Sequence, residues 1–93
     1  MNRRALLAAA LAVGARLVGV NNRDLHTFRV DLATSERIIP TLPEGVKAVA
    51  ESGVRTLGDA RRLRAAGAAN LLVGEALVRA EDPTKLLREM MAV

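Results

Sequence analysis

Apolar residues recur along this chain in two alternating rhythms. Leu6, Leu7, Ala10 and Leu11 share one face at helical spacing, with Asn2 available as an N-terminal cap and Gly14 where a left-handed C-terminal residue is wanted. A helix is therefore expected over 2–13. Beyond it, short apolar runs alternate with longer amphipathic ones. ARLVGV (15–20), GVKAVA (45–50) and NLLVG (70–74) read as strands. A helix follows each. Over 31–39, Asp31 is the expected cap, Leu32, Ile38 and Ile39 are the apolar positions, and Pro40 ends the run. Over 57–66, Thr56 and Asp59 form a capping box, Leu57, Ala60 and Leu63 mark one face, and Gly67 is the stop. Over 83–91, Asp82 followed by Pro83 starts a helix whose buried face is expected to be Leu86, Leu87, Met90 and Met91.

Strands that alternate with helices imply parallel pairing through right-handed crossovers, and short apolar strands imply cover on both faces. In such folds ligands bind at the carboxyl ends of the strands, so residues just after each strand converge on one rim. Here the apolar runs break abruptly into polar residues, in GVNNRD (19–24), AVAESGV (48–54) and VGEA (73–76). Asn21, Glu51 with Ser52, and Gly74 with Glu75 are thus expected to share a site. Ser52-Gly53 and Gly74-Glu75 each pair a Gly, which permits close approach, with a backbone N–H that can face the cavity. Two such sets beside a helix N-terminus would attract a phosphate. Taken singly, either dipeptide is better read as a plain turn.

Composition narrows the classes. At 93 residues, about half of them apolar, the chain suits one small domain or a piece of a larger one; a chain this short buries only about 60 to 65% of its unfolded surface. With no Cys and a single His, His26, neither disulfides nor a metal centre are expected. The net charge of +4 comes from scattered arginines, with one Phe and no Tyr or Trp to stack bases, so no nucleic-acid partner is expected. Arg61, Arg62 and Arg64 read as a solvated helix face. MNRRALLAAALAVGA (1–15) also imitates a secretory leader, a reading that pattern alone leaves open beside the helix, while its apolar run is too short to span a bilayer.

Three long segments, VGVNNRDLHTFRVDLATSERIIPTLP (18–43), VAESGVRTLGDARRLRAAGA (49–68) and LLVGEALVRAEDPTKLLREM (71–90), resemble the C-terminal part of indole-3-glycerol phosphate synthase. The resemblance covers nearly the whole chain. It implies an α/β fold, a partial TIM (β/α)8 barrel made of the last three strand-helix units preceded by one helix. It also implies a cytoplasmic carbon-carbon lyase of tryptophan biosynthesis, without organic cofactor or metal. The family converts 1-(2-carboxyphenylamino)-1-deoxyribulose 5-phosphate to indole-3-glycerol phosphate by ring closure, decarboxylation and dehydration.

By the same resemblance, Asn21 orients the phosphorylated substrate near the reacting ring and Leu72 lines the substrate pocket, while Arg23 is read either as meeting an anionic substrate group or as making an ion pair with a neighbouring loop. Glu51 helps set the charge state of a catalytic lysine, a salt bridge being the plainer alternative. Ser52, Gly53, Gly74 and Glu75 fall on phosphate-binding positions. Glu75 suits that position only if its backbone N–H makes the contact and its side chain turns away. The family's acid, base and lysines belong to the first five strands, which this sequence does not contain, and Lys47 and Lys85 are poorly placed to replace them. The chain alone is therefore expected to be inactive, and to associate with itself or with an N-terminal barrel half. The sheet face carrying Leu17, Val49 and Leu72 would otherwise lack cover. A stand-alone phosphate-binding or structural half-barrel module is the alternative.

Overall fold

The computed structural model describes residues 3–93, so the expected cap Asn2 lies outside the described residues. Helix α1 runs Arg3–Ala12. Gly14 stops it in the left-handed conformation (φ +84°), and the Ala15 N–H donates to Ala10 O at 3.0 Å. Strand β1 (Leu17–Asn21), helix α2 (Ala33–Ile38) with a 3₁₀ turn over Ile39–Thr41, strand β2 (Lys47–Glu51) and helix α3 (Leu57–Ala65) follow. Strand β3 (Asn70–Leu72), helix α4 (Glu75–Arg79) and helix α5 (Pro83–Met91) complete the order.

The three strands are parallel and in sequential order, as the alternation requires. Asn21 pairs with Glu51, and Glu51 with Leu72. The first two strands sit further along the chain than 15–20 and 45–50, because the residues before them serve turns. Ala15 closes α1, and the Val46 N–H donates to Pro43 O beside a left-handed Gly45. Asn21 and Glu51 are consequently the last rungs of the ladder rather than the first loop residues. β3 stops at Leu72, short of 74, because Gly74 already begins α4.

The pleat sends alternate residues to opposite faces. Val20, Ala48 and Ala50 meet Leu32, Ile39, Ala60, Leu63 and Met90 in one apolar core. Cover on both faces is not observed. On the other face, Leu17 is 62% exposed and Leu72 60%, with Val49 half-buried between them. Among the described residues, no helix is long and apolar enough to cross a membrane.

Local capping explains most helix bounds. Thr56 Oγ1 accepts from the Asp59 N–H while Asp59 Oδ2 accepts from the Thr56 N–H, the reciprocal box that starts α3. Asp82 Oδ1 accepts from the Lys85 N–H, and Pro83 opens α5. Asp31 is not the cap of α2 but stands one residue before the cap position, which falls on Leu32. Its Oδ1 accepts from the Ala33 N–H, forming a turn from which α2 begins at Ala33. The α-helix ends at Ile38, and Pro40 sits in the 3₁₀ turn. On α5, Met90 is buried and Leu86 half-buried, whereas Leu87 is 44% and Met91 77% exposed. The Leu86/Met90 stripe packs into the core; nothing among the described residues covers the next stripe.

Candidate functional site

The two consecutive asparagines that end β1 have opposite surroundings. Asn22 is 1% exposed, and all four of its hydrogen-bonding groups are used. Its N–H donates to Glu51 O (2.8 Å), its O accepts from the Asp31 N–H (2.9 Å), and its Nδ2 donates to Ser52 O (3.0 Å). Its Oδ1 accepts from the Ser35 N–H (3.1 Å) and Ser35 Oγ (2.6 Å). One side chain thus joins the ends of β1 and β2 to α2. Burying those polar groups is tolerable because each has a partner.

Asn21 is half-buried at the rim. Its Oδ1 accepts from the Arg23 N–H and from Ser52 Oγ, both at 2.9 Å. Its backbone O accepts from Arg3 Nη1 (2.6 Å), while Arg3 Nη2 donates to Arg23 O (3.1 Å), so α1 is tied to the same rim. Arg23 begins a loop closed by a bridge to Val30. Its guanidinium donates to Phe28 O (3.3 Å), within that loop. Asp24 shapes the turn: its Oδ1 accepts from the N–H groups of His26 (2.7 Å) and Thr27 (3.1 Å), which hold its carboxyl below the ordinary value.

Glu51 ends β2 with its carboxylate lying across Gly19 of β1. A Cβ at Gly19 would collide with Glu51 Oε2, so the missing side chain is what makes room. The ion pairs among the described residues are Arg62 with Glu36 and Arg79 with Glu75, and Glu51 takes part in neither.

After Glu51 the chain turns through two successive left-handed residues, Ser52 (φ +70°) and Gly53 (φ +85°). A Cβ at Gly53 would stand 2.5 Å from Val30 Cγ1 and 3.0 Å from Leu32 Cδ2, so packing and conformation both demand glycine. Gly74 differs. Its φ is −127°, and a Cβ there would meet nothing within 4 Å. Gly74 therefore borders open space.

That space is a cleft of about 700 Å³ lined by Ser52, Gly53, Leu72, Gly74 and Glu75, together with Arg23, Arg55 and Arg79. The N–H groups of Ser52, Gly53, Gly74 and Glu75 have no backbone partner among the described residues. Arg79 Nη2 pairs with the Glu75 carboxylate at 2.9 Å. Not all expected site residues share this cleft. Asn21 lines a separate groove of about 640 Å³ with Arg3, Leu6, Leu7, Ala10 and Leu17, and Glu51 lines neither. The Ser52 to Asn21 hydrogen bond links the two.

Sequence reasoning missed Asn22, Arg55, Arg79 and Gly19. A glycine inside an apolar strand signals close approach of another group, and that rule alone would have found Gly19. Nothing in the local pattern separates Asn22 from Asn21.

A family model described as indole-3-glycerol phosphate synthase matches residues 1–90. The chain belongs to the indole-3-glycerol phosphate synthase family. The match takes in the leader-like run at its start. An indole-3-glycerol phosphate synthase of Opitutus terrae is 56% identical over 92% of this chain, and one of Carboxydothermus hydrogenoformans is 50% identical over 89%. The match covers 32% of either relative, so the chain spans about a third of the length of the synthases it resembles. Among solved structures, the Amycolatopsis orientalis BexX/CysO complex contains a chain that superposes on 95% of this one. The TM-score is 0.76 and the identity 26%, over 36% of that chain.

Proposed function

We propose that this chain forms the last three strand-helix units of a (β/α)8 indole-3-glycerol phosphate synthase barrel, supplying the phosphate cradle and two polar side chains of its rim. The remaining strands come from elsewhere, on the same polypeptide or another. The observation that carries this reading is the register: Asn21, Glu51 and Leu72 form one row at the carboxyl ends of three parallel strands. Ligand sites of parallel barrels occupy that position.

The N–H groups at Ser52, Gly53, Gly74 and Glu75 hold the substrate phosphate, with Arg55 adding positive charge. Asn21 orients the sugar chain. Glu51, spread over Gly19, stabilises the positive charge of a lysine from the rest of the barrel, and Leu72 supplies apolar contact for the aromatic ring. The substrate is 1-(2-carboxyphenylamino)-1-deoxyribulose 5-phosphate, closed and decarboxylated without metal or organic cofactor, in the cytoplasm. The chain's rim has no placed general acid, a group worth about 10²- to 10⁴-fold, so the isolated chain turns over nothing.

The test is co-expression with the N-terminal two-thirds of the Opitutus terrae synthase, following indole-3-glycerol phosphate by its fluorescence. Activity is expected only in the combined sample. A correctly closed but inactive complex contradicts the residue roles, and turnover by the chain alone contradicts the division of labour.

One observation favours a second reading, a stand-alone phosphate-binding module: every group of the proposed cradle lies on this chain. Millimolar affinity of the isolated chain for inorganic phosphate, without gain on adding the N-terminal fragment, would support it.

A further inference from the structure

We propose that the Ser52 hydroxyl is a positioning group that locks the Asn21 side chain with its NH2 outward, so that Asn21 meets its ligand as a hydrogen-bond donor only. The inference rests on the rim site proposed above and deepens it. An amide oxygen has two lone pairs. Both of those on Asn21 Oδ1 are engaged, one by the Arg23 N–H and one by Ser52 Oγ, each at 2.9 Å. The Arg23 contact fixes which atom is oxygen, because a backbone N–H requires an acceptor. Nδ2 has no partner among the described residues, and the Asn21 backbone is itself anchored by Arg3 at 2.6 Å. Only the donor end remains for a ligand.

Ser52 is held in turn. It sits at φ +70°, a conformation that non-glycine residues seldom adopt. Its O accepts from Asn22 Nδ2 at 3.0 Å, and Asn22 is buried and fully bonded. The strained turn thus has two fixed ends, one on each asparagine, and aims the hydroxyl at Asn21 instead of into the anion cleft. Ser52 contributes to phosphate binding through its N–H, while its hydroxyl acts through Asn21. The ligand atom facing Asn21 is therefore an acceptor, such as the oxygen of a sugar hydroxyl, and a ligand group with protons alone finds no complement there.

The test uses the full chain, labelled with nitrogen-15. Without ligand, the Asn21 side-chain amide should show an order parameter near that of rigid backbone, about 0.85, and Ser52→Ala should drop it below about 0.6. An unchanged value in Ser52→Ala overturns the lock, and this comparison needs no ligand. Titrations with D-ribulose 5-phosphate and inorganic phosphate then separate the roles. Ser52→Ala should weaken the sugar phosphate about 2- to 12-fold, the worth of one hydrogen bond, and weaken inorganic phosphate less. In an Asn21→Ala background, Ser52→Ala should cause no further loss. Asn21→Asp keeps the anchored oxygen and exchanges the free donor for an acceptor, so it should bind the sugar phosphate no better than Asn21→Ala. Equal loss of both ligands in Ser52→Ala, additive losses in the double variant, or parental affinity in Asn21→Asp would each overturn the proposal. Failure of the parent chain to bind either compound contradicts instead the phosphate cradle proposed above.

Discussion

Asn22 Nδ2 donates to Ser52 O across 3.0 Å, joining residues thirty positions apart. Because the same side chain also accepts from Ser35, it fixes two rim loops relative to α2. The rim geometry depends on a residue that a ligand at the rim would not touch.

Asn22→Ala should accordingly destabilise the chain by about 1 to 3 kcal/mol, since it strands the buried Ser35 N–H and hydroxyl, and removes the partner of the half-buried Ser52 O. Urea unfolding measures this. Asn21→Ala, at the half-buried neighbour, should cost less. Equal stability of the Asn22 variant and parent would refute the clasp.

The two glycines of the cleft should separate stability from binding. Gly53→Ala forces a Cβ against Val30 at a positive φ and should cost about 2 to 4 kcal/mol in the same assay. Gly74→Val points into open space, so it should leave the unfolding midpoint nearly unchanged while lowering affinity for inorganic phosphate. Calorimetric titration showing equal phosphate affinity in parent and Gly74→Val would sink the cradle assignment.

Acid should loosen the 24–29 turn. The His26 and Thr27 N–H groups stabilise charged Asp24, whose folded value lies below the ordinary 3.8. The sign follows: the contribution is complete above the unfolded value and disappears as pH falls through 3.8 and then through the folded value. The amide shifts of His26 and Thr27 should titrate together with a midpoint below 3.8. Asp24→Asn should remove the transition, because an amide oxygen accepts at every pH. A shared midpoint at or above 3.8 would contradict this account.

Leu17 and Leu72 stand 62% and 60% exposed on the uncovered sheet face, and exposed apolar patches promote association. The isolated chain should therefore self-associate in sedimentation velocity. The double variant Leu17→Lys, Leu72→Lys should shift it toward monomer with a stability change within about 0.5 kcal/mol, since neither side chain is buried. A monomeric parent chain would refute the prediction.

Elements with complete local signals are legible in the residue pattern itself. Thr56 and Asp59 contact each other within four residues, Asp82 and Pro83 start α5 without outside help, and Gly14 ends α1 by its own backbone freedom. α4 escapes such a reading because it is five residues long and Gly74 has no side chain with which to announce a cap. The expected burial of Leu87 and Met91 fails for a different reason: periodicity shows which stripe is apolar, not whether a neighbour covers it.

The sequence by itself determined the order of strands and helices, their parallel arrangement, and the rim on which Asn21, Ser52 and Gly74 gather, because side-chain period, caps and crossover handedness are local or nearly local properties. Tertiary structure decided the rest. It alone turned Asn22 inward and left Asn21 at the rim, laid Glu51 over Gly19, and divided the candidate site residues between two clefts joined by the Ser52 hydroxyl. Each of those outcomes depends on atoms at least 13 residues away in the chain, brought to hydrogen-bonding distance only when β1 and β2 pair in register and α2 packs against them.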